Sequence, residues 1–150
     1  MIKFLERLFR RKVTEIESKL QAAPAPVAGC VCKNPDASVA WKMGRTAHVS
    51  LIDESHLGAQ LFRCAACNQD FLQIFTEVVD WEDGDDSQAW SVHPIEAELA
   101  ERLKAAREEV DEAFLAGLGI EGRQLSSCYP RGSFKSVKWS DGPLVILPHD

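Results

Sequence analysis

No apolar run in this chain approaches the roughly 20 residues that a membrane-spanning helix needs. The opening MIKFLERLFRRKVTEIESKL begins basic, but Glu6, Arg7, Arg10, Arg11 and Lys12 interrupt any signal-peptide-like apolar stretch, and no small-residue cleavage site follows. The expectation is therefore a cytosolic protein. Bases are also short: 17 Lys and Arg stand against 23 Asp and Glu, a formal net charge of −6. That balance argues against a surface built mainly to neutralise nucleic-acid phosphates. Nothing resembles a glycine-rich phosphate loop or a nucleophile elbow, and there is no internal repeat or low-complexity tract. What remains is 150 residues, 45% hydrophobic, enough for one compact core.

Composition divides the chain into three parts. Residues 1–23 carry Ile2, Leu5, Leu8, Phe9, Val13, Ile16 and Leu20 at helical spacing, which predicts an amphipathic helical arm. Residues 24–29, rich in Pro and Ala, read as a linker. Residues 30–150 read as a single α+β domain. Within it AHVSLI, AQLFRC and DFLQIFTEVVDW have the β-branched and aromatic content of strands, and the Asp-Gly of EDGDD predicts a hairpin to SQAWSVHPI. From Pro94 onward Ile95, Leu99, Leu103, Ala106, Val110, Phe114 and Leu118 form one stripe with acids mostly off it, which predicts one long acidic helix packed on the sheet, leaving at GLGIEG. After it, up to two strands are expected around a Ser-Asp-Gly-Pro turn.

Five cysteines are present, four of them in close pairs: Cys30 and Cys32 in GCVCKNP, Cys64 and Cys67 in FRCAACNQDF. In a reducing compartment such pairs point to metal or redox chemistry before a disulfide scaffold. The second pair falls between two strand-like runs, at the turn of a predicted hairpin. Two such loops can give one Zn²⁺ four thiolates in a tetrahedron. Over about residues 29–80 this arrangement resembles the zinc-ribbon class, in which two knuckles clamp a structural zinc at the end of a small antiparallel sheet. The first knuckle departs from that class, being Cys-x-Cys where Cys-x-x-Cys is commoner. The resemblance implies one structural zinc per chain held by Cys30, Cys32, Cys64 and Cys67. Three other readings stand beside it: a thioredoxin-like redox pair, ordinary buried thiols, and replacement of one cysteine by His48 or His56.

Other chemistry is more weakly marked. Aligning Gly84 of DWEDGDD with the glycine of an EF-hand loop puts Val79 and Trp81 where acidic ligands belong. His93 could act as a general base and Cys128, near Arg131, as a nucleophile, which would make the protein an enzyme. The leading expectation is instead a non-enzymatic binding module. Asp83, Asp85 and Asp86 in one turn, and Glu101, Glu108 and Glu112 on the expected helix, would meet a basic protein partner. Bacterial immunity proteins, which neutralise toxic enzymes, look like this in size and charge. The first 12 residues carry a local charge of +4, so the remainder carries −10. The alternative, a nucleic-acid-associated zinc ribbon, would use the arm or Arg123, Arg131, Lys135 and Lys138. Peripheral membrane contact through residues 1–20 is a further possibility.

Overall fold

A computed structural model describes residues 29–150. The expected arm and almost all of the linker lie outside the described residues. The architecture is a six-stranded antiparallel sheet in sequence order, β1 (Arg45–Asp53), β2 (Leu57–Cys64), β3 (Asp70–Val78), β4 (Ser87–Ile95), β5 (Glu121–Tyr129) and β6 (Ser136–Pro143). Short helices accompany it: α1 (Ala37–Trp41), α2 (Ala97–Ala105) and α3 (Glu112–Ala116). No helix among the described residues is long and apolar enough to cross a membrane.

Side chains alternate across the pleat, so each face of the sheet builds its own core. On one face Ala59, Leu61, Leu72, Ile74 and Ile95 pack with Ala100 and Leu103 of α2, Val110, and Leu115 of α3. Leu144 and Ile146 of the C-terminal segment close that side. On the opposite face Phe62, Phe71, Val92 and Leu125 pack with Ala40, Met43 and four cysteines. Phe62 and Phe71 are cross-strand partners whose rings stack at 5.2 Å. The metal-ligand candidates thus belong to one of the two hydrophobic cores.

The long acidic helix is not formed. The chain leaves α2 at Ala106, makes a 3-10 turn over Arg107–Glu109, becomes extended at Val110 and restarts as α3. The cause is local. Asp111 takes an extended backbone and its carboxylate accepts from Phe114 N at 2.7 Å, which is an N-cap and so begins a new helix. The break rotates the last turn so that Leu115, and not Phe114, is fully buried. Asp111→Ala should cost about 1 kcal/mol, measured as a shift in denaturant midpoint at unchanged slope.

The C-terminal region also differs from the sequence expectation. Ser140-Asp141-Gly142-Pro143 is not a turn; it completes β6, pairing with Glu121–Gln124 of β5. Gly142 and its partner Gly122 both have positive φ, 151° and 117°, which a side chain would strain. The reversal lies at 130–135. Cys128 consequently sits in a strand paired with Ala89, not in a loop.

Candidate metal centre

The second knuckle follows from the β2–β3 hairpin. Cys64 ends β2, its amide donates to Gln69 O at 2.9 Å, and Asn68 N donates back to Cys64 O at 2.9 Å. Asn68 has φ of 60°, a left-handed conformation that asparagine tolerates better than most residues. Below the turn, Arg63 forks onto its cross-strand partner Asp70 at 2.9 and 3.1 Å, which pins the hairpin register. Ala65 N donates to Gly44 O at 2.9 Å, tying the knuckle to the approach of β1.

The first knuckle is built differently. Cys30 is extended and caps a 3-10 turn over Val31–Lys33, closed by Lys33 N donating to Cys30 O at 2.9 Å. This tight turn brings the two thiols of a Cys-x-Cys pair within reach of one centre. Trp139 Nε1 of β6 donates to Asn34 O at 2.8 Å and anchors the loop to the sheet.

The four sulfurs lie within 4.8 Å of one another and all four residues are buried. Cys30 Sγ is 3.6 Å from Cys64 Sγ, and Cys32 Sγ is 3.5 Å from Cys67 Sγ. A disulfide would require about 2.05 Å, and all five cysteines are free thiols. A tetrahedron of sulfurs about 2.3 Å from a zinc has edges of about 3.8 Å. The spacing therefore fits one metal ion, consistent with a zinc-binding knot. Burial pushes the Cys32 and Cys67 thiols up. Burial also acts upward on Cys30, but hydrogen bonds from Cys32 and the neighbouring thiols outweigh it and lower that thiol. As thiolates, four sulfurs crowded this closely would need a cation, and a divalent ion would supply the charge that burial withholds.

Neither histidine weighed as a substitute ligand joins the group. His56 Nδ1 is 3.3 Å from Glu77 Oε2, and His48 is exposed with its ring 6.2 Å from that of Phe62.

His93 points into the core on the face opposite the cysteines, 2% exposed, with Nε2 3.0 Å from Ser91 Oγ. Burial lowers its pKa to about 4, so it is neutral at neutral pH. Ser91 was not foreseen as its partner, although residues two apart on a strand share a face. Cys128 lines a cavity of about 160 Å³ with Ser91, Ser126 and the tail residues Val145 and Leu147. Among the described residues no carboxylate bonds the His93 ring.

The six acids expected to form a binding surface have partners within the chain. Asp83 accepts from Arg131, Asp85 from Gly132 N at 2.6 Å, and Asp86 from Asp80 N at 2.8 Å. Lys104 is 2.7 Å from Glu101, Arg107 is 3.0 Å from Glu108, and His149 is 3.6 Å from Glu112. Some of these contacts are local, as at Glu101 and Glu108, and others join residues far apart in sequence, as at Asp83 and Asp85. Arg131 also lies 2.9 Å from Asp80. The backbone N–H of Asp83, then that of Glu82, with Arg131 nearby, hold the Asp80 carboxyl below its usual range.

These contacts clamp the β3–β4 and β5–β6 turns together at one end of the sheet. The clamped turns carry Trp81, 86% exposed, and Phe134, 92% exposed. Arg123, Arg131 and Lys135 are likewise engaged: Arg123 lies over Trp139, and Lys135 over both Trp41 and Trp90.

A scan against family models and searches of curated proteins and of solved structures found no match to this chain.

Proposed function

We propose that this is a zinc-stabilised, non-enzymatic protein-binding module of the cytosol, with a structural zinc on Cys30, Cys32, Cys64 and Cys67. Four protein thiolates leave a tetrahedral ion no open position for water or substrate, which favours a structural role. The binding role rests chiefly on the clamped hairpin tips, where two large aromatic side chains stand in solvent. Interface anchors are enriched in aromatics, and two such side chains held out on clamped turns are suited to that use. Even with Arg131 and Lys135 among them, the tips keep an excess of acids, Asp80, Glu82, Asp83, Asp85 and Asp86, so the partner is a basic protein. An immunity-type role, in which the partner is a toxic basic enzyme, is the sharpest form of this reading.

The clamp dictates how the proposal is tested. Reversing Asp83 and Asp85 would release Arg131 and Gly132 and disturb the tips, so loss of binding there would be ambiguous. Trp81→Ala with Glu82→Lys touches neither contact. In the full chain this pair should weaken binding to the partner recovered from the native host more than about 30-fold. Melting temperature and metal content should not move. Higher salt should slow association of the wild type. Unchanged affinity in the variant would remove the tips from the interface.

A further inference from the structure

A cavity of about 220 Å³ lies between the first knuckle and the sheet, on the face that carries the cysteines. Its apolar walls are Phe71, Pro94 and the Trp139 indole, with Cys32 behind them. Two cations, Arg123 and Lys33, belong to the same lining and are exposed. The Arg123 guanidinium lies 4.5 Å from the centre of the Trp139 ring. Neither cation makes an ion pair among the described residues. Asp141 is the cross-strand partner of Arg123 but does not line the cavity. The remaining polar group, the Gln69 amide nitrogen, is occupied by Asp70 O at 3.0 Å and Ile95 O at 2.9 Å.

We propose that this cavity is a ligand site for a small aromatic monocarboxylate. Small-molecule sites are concave and mostly apolar, with a few placed polar groups that fix orientation. Here the apolar part is sized for one ring system. The charged part is a planar fork lying over an indole, which suits the two oxygens of a carboxylate. Lys33 adds a second positive charge at the mouth. An uncharged aromatic would gain the walls but not the fork. A highly charged anion such as a phosphate would have to leave water for a site walled by Phe71, Pro94 and Trp139, whose indole N–H is already given to Asn34 O. The site is separate from the hairpin tips and does not depend on what they bind.

The test uses the full, metal-loaded chain and two probes of equal shape, indole-3-acetate and indole-3-acetamide. The side-chain N–H resonance of Trp139, assigned by Trp139→Phe, reports occupancy. A ligand of this size should bind with a dissociation constant of roughly millimolar order. The acetate should bind at least tenfold more tightly than the acetamide. Arg123→Gln should remove that preference, and Lys33→Gln should reduce it less. Equal binding of the two probes, no saturable shift at Trp139, or a preference intact in Arg123→Gln would each overturn the assignment. Should Arg123→Gln prove misfolded by its melting curve, the comparison of the two probes on the wild type decides alone.

Discussion

Replacing Cys64 and Cys67 together with serine should unfold the half of the molecule built on the cysteine face. These thiols are buried and belong to the same core as Phe62, Phe71, Val92 and Leu125. Structural zinc sites contribute apparent free energies of roughly 10–16 kcal/mol in small zinc-binding peptides. Whole domains are stable by only about 5–15 kcal/mol. Losing two of four ligands would remove most of the first quantity and leave Cys30 and Cys32 as buried, unmatched thiols. A strong chelator should act alike on the wild type, lowering its melting temperature by tens of degrees. The double-serine variant should be insensitive to the chelator because it has nothing to lose. The measurement is thermal melting of both proteins with and without chelator.

A second large effect is expected from acid. His93 is buried and its pKa falls from 6.5 to about 4 because burial disfavours the charged ring. Below pH 6.5 the unfolded chain takes up a proton there that the folded chain refuses until about pH 4. The unfolded state then binds more protons, so stability rises with pH across this window. The contribution is complete above pH 6.5 and is lost as pH falls, by about 3 kcal/mol at pH 4. Protonation of metal-binding thiols would also weaken the fold in acid, so the informative quantity is a difference. His93→Gln keeps a polar group beside Ser91 and cannot titrate. Its stability should fall less than that of the wild type between pH 6.5 and 4, by about 3 kcal/mol. An NMR titration placing the His93 midpoint near 6.5 would show that the ring is not held as the structure has it.

The parts of this molecule legible in its sequence are those where local pattern and tertiary role coincide. The Cys64–Cys67 pair between two strand-like runs announced a knuckle because a β-hairpin needs a turn there and the turn is the site. β1 to β4 were legible from β-branched and aromatic density. β5 was not, because its inward positions include Ser127 as well as Leu125, and serine carries no hydrophobic signal. Gly142 misled in the same region. Glycine before proline reads as a turn, yet here it lies opposite Gly122 in a paired strand. The long helix failed for an opposite reason: its stripe is continuous through Val110, yet the chain leaves the helix at Ala106 and restarts it at the Asp111 cap. An Asp preceding a restarting apolar pattern is a readable start signal, and it was outweighed by the stripe. Contacts between residues far apart in sequence could not be read at all. Arg131 meeting Asp80 and Asp83 is one. Trp139 meeting Asn34, which braces the first knuckle, is another.

A closed site requires that Cys30, Cys32, Cys64 and Cys67 all bind one tetrahedral ion. Cobalt(II) substitution addresses it directly, because tetrahedral thiolate coordination gives intense visible bands and strong sulfur-to-metal charge transfer, whereas six-coordinate cobalt absorbs weakly. Titrating metal-free protein with cobalt should give a sharp endpoint at one ion per chain, with the tetrahedral spectrum and four thiols protected from alkylation while Cys128 stays reactive. Zinc should displace the cobalt and bleach the spectrum. A weak six-coordinate spectrum, or four fully reactive thiols at the endpoint in a protein that melts as before, would contradict the claim.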